Sequence, residues 1–422
     1  MKRILVVCPG SWDEAALSRP EIAGRYQILR AATAVWDMPW YRLLLTHPAD
    51  FAREIARRHA GADKVDGVVG TGDYPGALLA AAIAAELGLP GPPFAQVVRL
   101  SHKVLSREIH RRWAPEATPD FAALDPGRPH EPPRLAYPFF VKPVKGTMSI
   151  GARLVRSRAE LAAALRFGWR ERLSKRILLT PFARMLRSIG EDRVPAHWFI
   201  AEEPLEGVQV TVDGFVANRE ATVMGVVDSV MYPGTQSFRR FEYPSRLPVA
   251  VQERMGGIAM QIMTGSGFDH SCFNIEMFWD AARDRLSVIE VNPRMSYQFA
   301  DLHEWVDGVN TYDLQLRLAT SEPHGFRRDT GRHGAATSFV MRRFRDARVR
   351  AVPGPEAVAE LGRRHPGSRV MILCGVGDRL SDHDQDVGSY RYAIVNMSAP
   401  TREALELAWR EAETLLRFEF ED

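Results

Sequence analysis

The sequence predicts an α/β protein with α+β character: an N-terminal parallel α/β domain, two strand-rich lobes, and a C-terminal α+β subdomain. Three observations predict it. The first hundred residues alternate short apolar runs with helical stretches, the pattern of parallel strand–helix units. The middle carries paired strand-like runs with polar residues set inside them. The tail from Ala335 returns to strands and closes on a helix.

Taken in order, "RILVV" is a short strand ended by Pro9-Gly10, and "VDGVVG" is another, stopped by Gly70. The Ala-rich "PGALLAAAIAAEL" opens at Pro75 and ends at "GLPGPP", with proline at the start and glycine past the end of a helix. Between them "GTGDYPG" misses the dinucleotide spacing by one residue and lacks the Lys-Ser/Thr of a P-loop. It reads as a strand-to-helix turn, with a ligand at the helix N-terminus as the alternative. Seven prolines from Ala114 to Pro138 mark an irregular segment. "YPFFVKPVKGTMSIGARLV" follows as two short strands joined by a glycine-containing turn, and "RVPAHWFIAEEPLEGVQVTVDGFV" as strand, loop, strand. A helix over Gly256–Thr264 precedes "SCFNIEMFW" and "LSVIEVN", which read as paired strands, and "NTYDLQLRLAT" is a helix. The tail adds the strands "ATSFVMRRF", "SRVMILCGV" and "SYRYAIVNM", then a helix from Thr401. The expected divisions are 1–100, 101–200, 201–325 and 326–422.

Composition excludes several classes of function. The chain has 422 residues, 45% hydrophobic and 25% charged, the balance of a water-soluble globular protein. A net charge of +3 from 55 basic and 52 acidic residues argues against nucleic acid or membrane as a partner. Three cysteines far apart, with no C-x-x-C, give no disulfide framework and favour a reducing, cytoplasmic setting. The apolar start ends at Pro9, too short for a secretion signal, and no run reaches a membrane span.

The chemistry concentrates in a few stretches. Lys142 and Lys145 bracket "KPVKGTMSIG", where Gly146, Ser149 and Gly151 can turn sharply and offer backbone N–H groups to phosphate; a surface hairpin has the same composition. "IAEEPLEG" runs an apolar stretch into carboxylates, as an exposed acidic turn also does. In "LSVIEVNPR", Glu290 and Asn292 are two apart, and residues i and i+2 share a face of a strand. Glu276, in "FNIEMFW", repeats the oddity of a carboxylate inside an aromatic run. Buried carboxylates are costly unless a positive group meets them. Two glutamates and an amide on neighbouring strands make a hard, all-oxygen site suited to Mg²⁺, which keeps water and phosphate as its other ligands. Outward-facing glutamates on half-exposed strands are the alternative. Arg294 would stand beside such a cation as an anion clamp.

In this order the stretches resemble the ATP-grasp superfamily and, within it, the carboxylate–amine ligases: relatives of D-alanine–D-alanine ligase, biotin carboxylase and the L-amino-acid ligases. The resemblance is best over Ser101 to Thr320. It implies a two-lobe ATP-grasp fold between the N-terminal domain and the C-terminal subdomain. "SHKVLSREI" resembles the first lysine segment, implying that Lys103 contacts phosphate. "YPFFVKPVKGTMSIG" resembles the nucleotide lysine and its loop, implying Lys142, with Lys145, Gly146, Thr147 and Ser149 over the phosphates. "IAEEPLEGVQVTVDG" resembles the hinge, implying Glu202, Glu203 and Leu205 beside the adenine; Gln209 stands where the family usually has a ribose-binding glutamate. "FNIEMFW" and "IEVNPR" imply Glu276, Glu290 and Asn292 on Mg²⁺, with Mn²⁺ able to replace it, and Arg294 on substrate or phosphate. The implied reaction uses ATP to activate a carboxylate as an acyl phosphate, which an amine then attacks. Its partners are small carboxylate and amine molecules, and a homodimer is compatible with the resemblance. The alternatives are a nucleotide-binding regulatory module on the same scaffold, or a ligase or carboxylase with a non-amine acceptor.

Three further motifs carry less. "DHDQDVG" alternates acids like a calcium loop, but its glycine comes one place late and position twelve is Ala393. "RRFRDARVR" places five arginines in nine residues, an edge strand with a basic face. "HEWVD" lacks the second histidine of a zinc-protease helix.

Overall fold

The computed structural model describes residues 1–31, 47–61, 64–128, 133–146, 151–166, 169–383, 385–386 and 388–421. Three strands, β1 (Lys2–Val7), β2 (Tyr26–Ala31) and β3 (Gly67–Val69), pair in parallel in the order β2-β1-β3, as the alternating N-terminal pattern predicts. Helix Leu78–Leu87 packs on this sheet; residues 78 to 84 are all buried, which explains why its sequence is apolar all round. Gly88 ends it in the left-handed conformation at φ 63°.

The next four strands form a small antiparallel sheet. They are β4 (Phe121–Leu124), β5 (Phe139–Pro143), β6 (Arg153–Val155) and β7 (Phe199–Glu202), in the order β4-β7-β5-β6. Alternation along β5 buries Phe139 and Val141 and turns Phe140 and Lys142 to the opposite face.

The chain then leaves this sheet for a larger one. The strands read from the sequence on either side of "EPLEG" do form, but in different sheets: β7 in the small one, β8 (Val208–Ala217) in the large one. Gly207 ends the crossing at φ 112°, and a Cβ there would lie 2.1 Å from the Trp279 carbonyl oxygen, so only glycine fits. The large sheet continues with β9 (Glu220–Met231), β10 (Phe238–Tyr243), β11 (Ser271–Asp280), β12 (Arg285–Asn292) and β13 (Ala335–Arg343). Beyond it β14 (Arg348–Ala351) stands apart. The strands β15 (Arg369–Ile372), β16 (Gln385–Asp386) and β17 (Ser389–Ala399) rejoin the sheet, and β18 (Glu419–Glu421) pairs with β14 as a two-stranded ribbon. The order is β12-β11-β8-β9-β10-β13-β17-β15, with β16 against β17. Helix Val249–Ser266, longer at both ends than the sequence suggests, covers one face through Met255, Ala259, Ile262 and Met263.

The strands β11 and β12 pair as predicted, but not with unbroken alternation. Glu276 faces Glu290 and Met277 faces Val288, so Ile289 is an extra residue, a β-bulge. Regular alternation would put Val288 and Glu290 on one face. The bulge sends Val288 into the core, while Ile289 and Glu290 both turn to the cleft on the other side.

Candidate active site

Two rows of side chains cross the cleft face of three adjacent strands. Thr211, Glu276 and Glu290 are register partners on β8, β11 and β12; so are Asp213, Asn274 and Asn292 one step along. Burial pushes the Glu276 carboxyl up to about 7, and the facing Glu290 adds to the shift. Gln209 Nε2 donates to Glu276 at 3.0 Å. Burial would raise Glu290 as well, but Lys103 and Lys142 hold it below the usual carboxylate range.

Each lysine read as a phosphate contact is met by a carboxylate. Lys103 opens helix Lys103–Trp113; its backbone N–H bonds Val144, and its Nζ reaches Glu290 at 2.9 Å and the Gly146 carbonyl at 3.0 Å. Burial alone would lower its pKa, yet Glu290 raises it. Lys142 Nζ lies 2.5 Å from Glu202. Lys145 is buried and reaches Asp73 at 3.2 Å, beside the rings of Tyr74 and Phe182. Burial lowers both Lys142 and Lys145.

Of the residues read as a hinge, Glu202 is buried in the wall of the cleft. Arg107 Nε and Lys142 hold its two oxygens, the arginine at 2.6 Å, and Arg107 Nη2 donates to the Ile289 carbonyl at the bulge at 2.5 Å. Burial opposes ionisation of Glu202, but Arg107 and Lys142 keep its pKa low. Glu203 pairs with Arg285. Leu205 and Glu203 line a cavity of about 590 Å³ together with Phe140 and Phe278. It shares Glu276, Glu290, Gln209 and Phe238 with a second cavity of about 260 Å³ that holds Lys103, Lys145, Gly146, Asn292 and Arg294. The two are one cleft between the sheets. Thr147 and Ser149 lie outside the described residues.

Sequence reasoning missed four contributors. Arg107 lies one turn after Lys103 on the same helix face, a spacing that could have shown it. Asp73 sits in the "GTGDYPG" turn and lines the cleft. Ser101 and Ser229 also line it, and their buried hydroxyls have no hydrogen-bond partner among the described residues. Such orphaned groups fit a cleft that completes its hydrogen bonds with a polar ligand.

The donor set fits a hard cation. Among the described residues no group of three His, Cys, Asp or Glu gathers as a metal cluster, so the cradle is two carboxylates and an amide. That set leaves positions for water and phosphate oxygens, as Mg²⁺ prefers. Arg294 is half-buried at the rim, with Nη1 donating to the Met295 carbonyl at 3.1 Å.

Lys142→Ala is expected to weaken ATP binding by about 1.5–3 kcal/mol, the scale of a hydrogen bond to a charged group. Calorimetric titration of wild type and variant measures it; equal affinities would remove Lys142 from the nucleotide.

Behind the second row lies a fully buried histidine. His303, on helix Ala300–Asp307, sets Nε2 2.9 Å from Asp213 and Nδ1 3.1 Å from Asp307, which also accepts from the Tyr243 hydroxyl at 2.7 Å. Burial alone would lower its pKa, but the hydrogen bonds to Asp213 and Asp307 raise it from 6.5 to about 9. A raised folded pKa means that the imidazolium stabilises the fold fully below pH 6.5 and that this contribution is lost as pH rises through about 9. The urea midpoint is expected to fall over that interval, with a shallower fall in Asp307→Asn. Parallel curves for the two proteins would refute the assignment.

Comparison with known proteins places this geometry. Residues 135–302 match the family described as the ATP-grasp domain. Among solved structures, L-amino acid ligase from Bacillus licheniformis is 17% identical, over 100% of this chain and 99% of that one, with a TM-score of 0.74. Phosphoribosylglycinamide synthetase from Anaerococcus prevotii is 12% identical over 99% of each chain, TM-score 0.67. The biotin carboxylase domain of Hydrogenobacter thermophilus 2-oxoglutarate carboxylase, solved as a dimer with Mg-ADP, ADP and bicarbonate, is 16% identical over 100% of this chain and 91% of that one, TM-score 0.66. At these identities the likeness establishes the fold, which is the ATP-grasp fold. No curated protein matches the chain in sequence.

Proposed function

We propose that this chain, which has the ATP-grasp fold and matches the ATP-grasp domain over residues 135–302, is an ATP-dependent carboxylate–amine ligase. It would act on amino acids or related small acids, with ADP and phosphate as the other products. One observation carries the reading: a single cleft gathers Lys103, Lys145, the Glu276/Glu290/Asn292 cradle and Arg294.

Glu276, Glu290 and Asn292 would hold Mg²⁺, which supplies positive charge to the phosphate oxygens when bound. Glu202, Glu203 and Leu205 would border the adenine, and Gln209 the ribose. Lys103 and Lys142 would exchange their carboxylate partners for phosphate oxygens and neutralise charge on the transferring group. Arg294 would fix the substrate carboxylate for attack on the γ-phosphate, then steady the acyl phosphate while the amine displaces phosphate. The setting supported by charge and composition is the cytoplasm, without nucleic acid or membrane as partner. No helix among the described residues is long and apolar enough to cross a membrane.

A pairwise screen of amino acids for ADP and phosphate release tests the reading. Release that requires both a carboxylate and an amine supports it. Nucleotide binding without turnover would favour a regulatory module instead.

A further inference from the structure

The row Asp213–Asn274–Asn292 contains two side-chain amides, and an amide has a donor end and an acceptor end. Their directions are fixed most closely from the side of His303, with Asn292 Nδ2 also reaching Glu276 Oε1 at 3.5 Å. His303 faces a carboxylate with each ring nitrogen, Asp213 with Nε2 and Asp307 with Nδ1. Both nitrogens therefore donate, and both acids are acceptors. Asp213 also takes a hydrogen bond from Asn274 Nδ2 at 2.7 Å, and the second hydrogen of that nitrogen goes to Ser296 Oγ at 2.6 Å. Asn274 must then show its Oδ1 to Asn292, whose Nδ2 donates to it at 3.1 Å. This leaves Oδ1 as the end of Asn292 that carries lone pairs toward the cleft.

We infer that His303 is a positioning residue of the metal cradle: through Asp213 and Asn274 it orients the Asn292 amide so that its oxygen, not its nitrogen, is offered to a cation. The inference rests on the proposed Mg-nucleotide site. The groups facing His303 are Asp213 from β8, Asp307 from its own helix and the ring of Tyr243 from β10, with ring centroids 4.6 Å apart. Without the fixed donor at His303, Asp213 loses the hydrogen bond that holds its carboxylate in place as the acceptor for Asn274. The Asn274 amide can then turn over, and Asn292 would present an NH₂ group to the cation. Residues that orient metal ligands in this way typically govern affinity by about 10–100-fold.

The test measures Mn²⁺ binding to the full chain in the presence of ADP, by electron paramagnetic resonance, and ADP binding in excess chelator. His303→Gln and Asn274→Ala are each expected to weaken Mn²⁺ binding about tenfold or more while metal-free ADP binding stays unchanged. Should His303→Gln fail to fold, Asn274→Ala still decides, because it leaves the His303 pairs with Asp213 and Asp307 in place. Wild-type Mn²⁺ affinity in Asn274→Ala would overturn the inference. So would an equal loss of Mn²⁺ and metal-free ADP binding, the mark of general damage. Glu290→Gln separates the two levels: if it too leaves Mn²⁺ binding intact, the metal reading of the cleft fails, whereas a loss confined to Glu290→Gln sinks the positioning role alone.

Discussion

Glu290→Gln is expected to leave the fold intact and to lower turnover by about a hundredfold or more, the scale of losing a charge aimed at a developing transition state. The isosteric amide keeps the bulge and the cross-strand contact with Glu276. Two electrostatic changes oppose each other in the ligand-free protein. Lys103 loses its 2.9 Å partner, while buried Glu276 is relieved of a facing negative charge. Stability should therefore change little, and a thermal melt within a few degrees of wild type would confirm it. Function has no such compensation, because an amide cannot offset the charge of a cation bound to phosphates. Turnover near the wild-type rate would take Glu290 out of the site.

The second large effect concerns the intermediate. If a carboxylate is activated as an acyl phosphate, hydroxylamine at high concentration should intercept it and give a hydroxamate, with ADP and phosphate formed in step. Arg294→Lys should cut hydroxamate yield by about tenfold or more while ATP affinity stays within about twofold, because lysine cannot grip a carboxylate with two parallel hydrogen bonds. Equal losses would place Arg294 on the nucleotide. AMP as product would indicate an adenylating enzyme, and a stable phosphorylated substrate formed without amine would indicate a kinase.

Much of the fold was legible because local patterns coincided with the tertiary arrangement. The N-terminal alternation of strand and helix and the pairing of β11 with β12 follow from apolar periodicity, and the isolated carboxylates that break it, Glu276 and Glu290, do line one cleft. The cradle was readable because a glutamate in an apolar strand demands an explanation. What lay hidden depended on contacts between distant segments. Nothing local distinguishes Asp73 from any acid at the start of a helix, and it matters because Lys145 lies against it. Glu202 looks like one member of an acidic turn until Arg107, 95 residues away, closes on it. His303 sits in "HEWVD", where the missing second histidine excluded one metal motif and drew attention from its actual neighbours. The bulge could not be seen, because alternation alone gives Glu290 and Val288 the same face.

That extra residue at Ile289 has a consequence for how the strand can vary. Along β12 the pairing of Glu290 with Glu276 and of Val288 with Met277 is that of a strand with no extra residue, so the bulge adds a contact without setting the register. Ile289 can be exchanged for another apolar residue with its carbonyl still bound to Arg107. Removing it would leave Glu290 opposite Glu276 and Val288 opposite Met277 in unbroken alternation, with Val288 still in the core, but would take away the carbonyl that Arg107 holds. The extra residue is thus a fastening and not a spacer: a strand without it keeps its two faces but gives up the point at which the helix of Arg107 is tied to the sheet.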